Sequence, residues 1–191
     1  MKCKTDFSFI GAALITLMMI YDKSGNAVHG VCAAFFHESG HLFALLISGD
    51  IPQKISVGIY GIRIERYEKA SVSYRTEAII ALSGPVFNLT AAAIMSFFDK
   101  DMSVPIRMNT AICLFNLLPL TPLDGGRALY YILCRLKGLD FAAKCSKVIT
   151  VLGIIPLTVT GFLIFINNTS DYSLLLSSLY VSFALLSFPY S

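Results

Sequence analysis

One stretch of this chain reads, from residue 33 to residue 47, Ala33-Ala34-Phe35-Phe36-His37-Glu38-Ser39-Gly40-His41-Leu42-Phe43-Ala44-Leu45-Leu46-Ile47. Residues four positions apart lie on the same face of an α-helix, so the imidazoles of His37 and His41 could hold one metal ion. The carboxylate of Glu38 lies beside that face, where it could take a proton from water that the metal activates. Ionisable groups are costly inside an apolar membrane segment, so their presence favours a functional site over a chance pattern in a soluble helix.

The composition is that of a membrane protein. The chain has 191 residues, of which 55% are hydrophobic and only 14% charged, and its mean hydropathy is +0.70. Soluble proteins carry about 25% charged residues. We therefore expect residues 1–191 to form a single integral-membrane domain in a lipid bilayer, without a soluble accessory domain. The sequence has no basic stripe with interleaved aromatic residues, which excludes nucleic acid as an expected partner.

Apolar segments long enough to cross a bilayer, or nearly so, divide the chain. They lie at residues 7–21, 27–48, 78–98, 104–120, 148–167 and 173–188. This pattern predicts an all-α polytopic fold with about six transmembrane helices. The first segment follows a short basic N-terminus without a convincing cleavage site, so we expect it to be retained rather than removed as a signal peptide.

The distribution of positive charge predicts the orientation. With those six spans, 12 of the 15 lysine and arginine residues fall on one side of the membrane, at the N-terminus and in the connections 49–77 and 121–147. Positively charged connections face the cytoplasm, so both termini and both long connections should be cytoplasmic. His37 and His41 then lie in the cytoplasmic half of the second span.

Residues 54–67 change from a helical period to an alternating one. Ile55, Val57 and Ile59 alternate with polar or small residues, and the alternation resumes after Gly61. This pattern predicts a short β-hairpin after the second span. The hairpin could be an interfacial ribbon with one apolar face, or an exposed edge that pairs with an extended substrate, and the sequence leaves both open.

A catalytic zinc site has three protein ligands and an open position, so a third ligand is needed. Asp124 is the best candidate, because prolines at 119 and 122 end the preceding helix and Gly125-Gly126 permit a turn directly after the acid. Irregular backbone at membrane depth survives only where protein or a wet cavity surrounds it. The alternative is an ordinary acidic residue in a turn.

Two asparagines in apolar segments are further candidates. Asn88 lies near the middle of the segment 78–98, and Asn116 lies near the end of the segment 104–120. Either could hydrogen-bond a neighbouring helix, or could bind substrate and support the transition state. His29, near the outer end of the second span, is expected to be an interfacial residue rather than a ligand.

The two motifs together resemble a known family. His37-Glu38-x-x-His41, followed by Asn116-x-x-Pro119-Leu120-x-Pro122-x-Asp124-Gly125-Gly126-Arg127, is similar to the site-2 protease family of intramembrane zinc metalloproteases. In size and layout the chain most resembles the bacterial branch of sporulation factor IVFB-like proteins. The resemblance covers about residues 27–127, and Ser83-Gly84-Pro85-Val86-Phe87-Asn88 resembles a further family feature.

The resemblance implies one Zn²⁺ per chain, held by His37, His41 and Asp124, with Glu38 as the catalytic general base. It implies an endopeptidase of the bacterial cell membrane that cleaves transmembrane or membrane-associated proteins near the cytoplasmic face, as in regulated intramembrane proteolysis. The competing reading is a non-proteolytic metal-binding membrane protein, either a transporter or a scaffold. A transporter would spread ionisable residues along a path across several spans, and a scaffold would not need Glu38, so the sequence favours the protease.

Overall fold

The computed structural model describes residues 4–7, 16, 19–20, 22, 24–49, 52–58, 61–66, 73–98 and 103–167. Five α-helices account for most of this part of the chain, and they are α1 (Asn26–Ile47), α2 (Tyr74–Phe98), α3 (Ser103–Asn116), α4 (Asp124–Lys137) and α5 (Leu139–Asn167). Three short strands are β1 (Lys4–Phe7), β2 (Pro52–Gly58) and β3 (Gly61–Arg66). The fold is therefore dominated by helices.

Three helices of the described residues are long and apolar enough to cross a membrane: α1, α2 and residues Leu139–Leu163 of α5. The prediction of an integral membrane protein built from helices is confirmed. The predicted span 173–188 and most of 7–21 lie outside the described residues, so the number of six spans stays a prediction.

The helix in the predicted segment 104–120 ends before the apolar sequence does. Helix α3 has 14 residues and ends at Asn116, which gives a length of about 21 Å at the α-helical rise. The hydrocarbon core of a bilayer is about 30 Å thick. Residues 117–123 continue in turns rather than in a helix, and Pro119 and Pro122 in this segment cannot donate helical hydrogen bonds.

The strands form one sheet in the order β1-β2-β3. Strands β2 and β3 are antiparallel, with Ile55 opposite Ile64 and Val57 opposite Ile62. Strand β1 pairs in parallel with β2, a partner that the alternation at 54–67 did not predict. Residues 59, 60 and 67 of the predicted hairpin lie outside the described residues. Because β2 is paired on both sides, the unpaired edges of this sheet belong to β1 and β3 within the described strands.

The chain divides into two compact units. The first contains Met1–Val72 and Ser83–Leu114, and the second contains Ser73–Leu82 and Phe115–Ser191. In the first unit, Phe87 of α2 packs near Phe36 and Phe43 of α1, with ring centroids 6.5 and 5.6 Å apart. In the second unit, Leu120 and Leu123 form a buried cluster, against which Phe115, Leu118, Ile154 and Leu157 pack. That cluster holds the turns of residues 117–123 between elements of the same unit.

Candidate metal centre

Helix α1 presents the two histidines of the motif on one face, as the helical period requires. The Nε2 atoms of His37 and His41 lie 3.2 Å apart, and His37 is buried, with 6% of its surface exposed. Two nitrogens bound to one tetrahedral zinc ion at about 2.0–2.1 Å would be separated by about 3.3–3.4 Å. The spacing of the two Nε2 atoms therefore fits a shared metal ion.

The other ring nitrogen of each histidine faces a polar group of α2. His37 Nδ1 lies 3.0 Å from Asn88 Oδ1, and His41 Nδ1 lies 3.5 Å from Ser83 Oγ. A histidine that binds a metal through one nitrogen usually donates a hydrogen bond from the other, which fixes the ring. Both imidazoles therefore have polar neighbours at Nδ1 and converge through Nε2.

Two glycines allow α1 and α2 to come this close. A Cβ atom added to Gly40 would lie 2.7 Å from the carbonyl oxygen of Ser83 and 2.8 Å from Cγ of Phe87. A Cβ atom at Gly84 would lie 2.7 Å from Cε1 of His41 and 2.9 Å from Cε1 of His37. Small residues at helix contacts permit such an approach in membranes. The absent side chain of Gly84 thus leaves the space beside the paired rings open.

The remaining residues of the motif differ in environment. Glu38 is half-buried on α1, directly after His37. His29 is exposed near the beginning of the same helix, two helical turns before His37. The role of Glu38 as general base and the exclusion of His29 from the ligands stay predictions.

Asp124 belongs to the second unit and is the first residue of α4. It is 6% exposed, and its Oδ1 lies 3.9 Å from Nη1 of Arg127, one helical turn later. The predicted turn directly after Asp124 is wrong, because Gly125 and Gly126 are helical. Their missing side chains serve packing instead: a Cβ at Gly125 would lie 2.7 Å from the carbonyl oxygen of Leu118.

The segment before Asp124 is tied to α5. The backbone N–H of Thr121 donates to Oγ1 of Thr150 at 3.0 Å, and Thr150 donates to the carbonyl oxygen of Ser146 at 2.7 Å. Thr150 is fully buried. Asn116, the last residue of α3, is half-buried in the second unit, and its contact with substrate stays a prediction.

The sequence analysis missed two polar residues that support the histidines. Asn109 on α3 is buried, and its Oδ1 accepts a hydrogen bond from Asn88 at 3.0 Å. The sequence could have indicated Asn109, because an asparagine inside an apolar segment is unusual. Ser83 begins the segment that resembles a further family feature, but its residue type did not indicate a role, since serines are frequent at contacts between membrane helices.

No family model matches the chain. A protein of Synechocystis sp. named "Putative zinc metalloprotease sll0528" is 28% identical over 112 residues, which cover 53% of this chain and 29% of that protein. The chain thus spans less than a third of the length of this relative. A solved structure, "Site-2 Protease from Methanocaldococcus jannaschii", matches with a TM-score of 0.66 and 21% identity over 98% of this chain and 91% of that one.

The chain has the fold of a solved protease structure. Specifically, it has the fold of the site-2 protease from Methanocaldococcus jannaschii, and the resemblance to the site-2 protease family that the two motifs predicted is confirmed. The assignment to the sporulation factor IVFB-like branch stays a prediction.

Proposed function

We propose that the protein is an intramembrane zinc endopeptidase. The observation that carries the proposal is the convergence of the two Nε2 atoms at 3.2 Å, beside a half-buried Glu38 on the same helix. A helix that carries two imidazoles and a carboxylate in this arrangement is suited to metal-assisted hydrolysis. The confirmed fold supports the same chemistry.

We propose His37, His41 and Asp124 as the protein ligands of one zinc ion. Two neutral imidazoles and one carboxylate are a donor set that catalytic zinc sites use, and a fourth position remains for water or substrate. The burial of Asp124 supports a role other than that of a solvated turn residue. When bound, zinc would lower the pKa of water and polarise the peptide carbonyl.

Glu38 has the role of general base in this proposal. Its carboxylate accepts the proton of the attacking water and later delivers it to the nitrogen of the leaving amine. An adjacent position on α1 suits this role, because residue 38 lies next to the ligand face but is not needed to complete the ligand set. Asn116 is the candidate for holding the substrate or the developing oxyanion.

The substrate class in this proposal is a transmembrane or membrane-associated protein, cleaved near the cytoplasmic face. A peptide in a helix hides its carbonyl groups, so the substrate must be extended at the cleaved bond. The edge of β3 supports this step, because an unpaired strand edge can add an extended peptide by backbone hydrogen bonds.

We further propose a bacterial cell membrane as the location, with both termini and both long connections in the cytoplasm. The charge distribution supports this orientation, with 12 of 15 positive residues on one side of the predicted spans. Labelling of single cysteines in a cysteine-free variant tests it. Reaction of a cysteine at Ser71 with an impermeant reagent outside intact cells would contradict the orientation.

A comparison of two variants tests the proposed function. The probe is a single-pass membrane protein with a glycine-serine pair in the cytoplasmic half of its span, incubated with purified protein in detergent. Glu38→Gln should retain zinc and lose at least 10²-fold in cleavage rate, the range typical of general-base loss. Asp124→Asn should lower both zinc content and rate. Ser39→Ala, which removes a hydroxyl that donates to its own helix at Phe35, is the matched control.

Wild-type cleavage by Glu38→Gln would contradict the protease mechanism and would favour a metal-binding transporter or scaffold. Absence of zinc in the folded wild-type protein, even after reconstitution, would contradict the metal site itself.

A further inference from the structure

We propose that Asn88 and Asn109 form an amide relay that holds His37 in one tautomer, with the proton on Nδ1 and the lone pair of Nε2 directed at the metal. Both asparagines act as positioning residues rather than as catalytic residues. The inference rests on the proposed function for the identity of the metal. The relay itself is a set of contacts within the first unit.

The relay connects three helices. Asn88 of α2 places its Oδ1 3.0 Å from Nδ1 of His37 on α1. The Nδ2 atom of Asn88 donates to the carbonyl oxygen of Ala33 and to Oδ1 of Asn109, both at 3.0 Å. Asn109 of α3 in turn donates from Nδ2 to the carbonyl oxygen of Pro105 at 2.9 Å.

The orientation of both amides follows from their partners. A primary amide has two N–H donors on one side and an oxygen acceptor on the other. The carbonyl oxygens of Ala33 and Pro105 are backbone acceptors that cannot become donors. Turning Asn88 around would set its oxygen against Ala33, and turning Asn109 around would set its oxygen against Pro105. The carbonyl of Pro105 therefore fixes Asn109, and the carbonyl of Ala33 together with Oδ1 of Asn109 fixes Asn88.

The fixed amide determines the tautomer of His37. Because both N–H groups of Asn88 are used, only its oxygen faces the imidazole, and that oxygen accepts a proton from Nδ1. In neutral imidazole, a proton on Nδ1 leaves Nε2 with a lone pair, which is the form that binds a metal. The Nε2 atom of His37 is the one that converges on His41.

The burial of both asparagines favours a positioning role over direct contact with substrate. Asn88 is fully buried and Asn109 is 4% exposed. Every polar atom of the Asn88 side chain has a partner among the described residues. The competing explanation is that the asparagines only join α1, α2 and α3, as polar residues in membrane helices often do.

The first measurement is zinc affinity, by competition with a chelator, in the full-length protein. Asn88→Leu removes the acceptor and should lower the affinity 10- to 100-fold, the range for the loss of a hydrogen-bond partner of a ligand. Asn88→Asp keeps an acceptor oxygen towards Nδ1 and should retain more affinity than Asn88→Leu. Thr90→Val is the matched control on α2, because that hydroxyl donates to its own helix at Val86; it should bind zinc like the wild type.

A double-mutant cycle separates positioning from packing. In the wild type, Asn109→Ala removes one of the two acceptors that hold the amide of Asn88, so the amide is less firmly oriented and zinc affinity should fall about tenfold, at the lower end of that range. In the Asn88→Leu background no amide remains to be oriented. Asn109→Ala should therefore have no further effect there. An equal loss in both backgrounds would overturn the relay and favour simple helix packing.

The second measurement needs no metal. ¹⁵N spectra of histidine-labelled, metal-free protein in lipid, at a pH where the imidazole is neutral, report which ring nitrogen carries the proton. The signals are assigned with His29→Gln and His41→Gln. His37 should show protonated Nδ1 in the wild type and a mixture in Asn109→Ala. Protonated Nε2 in the wild type, or an unchanged spectrum in Asn109→Ala, would overturn the relay. A relay observed in a protein that binds no zinc would instead contradict the proposed function alone.

Discussion

The backbone N–H of Thr121 donates to the hydroxyl oxygen of Thr150, a fully buried residue 29 positions later in the chain. This hydrogen bond attaches the turns that precede Asp124 to the long helix α5. The hydroxyls of the two threonines also lie 3.2 Å apart. The position of Asp124 in the second unit thus depends on a residue that no motif contains.

Thr150→Val should lower both stability and zinc affinity. The change keeps the shape of the side chain but leaves the half-buried N–H of Thr121 without its acceptor, which costs about 1 kcal/mol, the typical net value of one hydrogen bond. Melting in detergent and chelator competition measure the two effects. Thr158→Val is the control, because that hydroxyl donates to its own helix at Ile154. Similar effects of both changes would contradict a specific role of Thr150.

Gly84→Ala should weaken zinc binding with little loss of helix content. The added methyl would occupy the space beside Cε1 of His41 and His37, so the rings must rotate away from their shared position. We expect zinc affinity to fall about 100-fold, the upper end of the range for disturbed ligand orientation. Gly30→Ala on α1 is the control, since its Cβ would meet nothing within 4 Å. Normal zinc binding by Gly84→Ala would show that the rings tolerate the methyl group.

Asp22 makes the beginning of α1 dependent on pH. Its carboxylate accepts hydrogen bonds from the backbone N–H of Ala27 and from Ser24, and these bonds hold the pKa of Asp22 below its usual value of 3.8. A lowered pKa in the folded state means that this stabilisation is present above the unfolded pKa and is lost as the pH falls through the folded value. Asp22→Ala should therefore melt at a lower temperature than the wild type near neutral pH, and the difference should vanish in strong acid. A difference in melting temperature that does not change with pH would refute this assignment.

Proline substitutions in β3 should reveal whether its free edge binds substrate. Successive residues of an antiparallel strand direct their N–H groups alternately towards the partner strand and away from it. One of the two variants Arg63→Pro and Ile64→Pro should therefore remove a hydrogen bond to β2 and lower the melting temperature. The other should remove an N–H donor that points away from β2. The variant with the smaller change in melting temperature should keep zinc and lose cleavage of the single-pass probe. Undiminished cleavage by that variant would support an interfacial ribbon.

Local periodicity explains what could be predicted from the sequence. The convergence of His37 and His41 follows from the helical period alone, which needs only the four-residue spacing and a helix. The membrane character follows from the length and apolarity of the segments that became α1, α2 and α5. These features depend on residues that are close together in the chain.

The features that could not be predicted depend on contacts between distant residues. The pairing of Asn88 with Asn109 joins different helices, and nothing in the sequence specifies which of the polar residues in these segments meet. The helical state of Gly125 and Gly126 has the same origin. Glycine favours turns by its intrinsic propensity, but here the missing side chains permit close packing against residues 117–121.

The short helix α3 has a consequence for the kind of membrane that suits this protein. With residues 104–120 as a span, as the sequence predicts, its helical part of about 21 Å would be shorter than a hydrocarbon layer of about 30 Å, a hydrophobic mismatch that bilayers relieve by thinning locally. A thicker bilayer would then pull on the helix that carries Asn109, and through it on the orientation of Asn88 and His37. We expect zinc affinity to decrease as the acyl chains of the reconstituting lipid lengthen, and less so in Asn88→Leu, where no amide remains to be displaced. The thickness of the surrounding lipid would then act as a regulator of this protein.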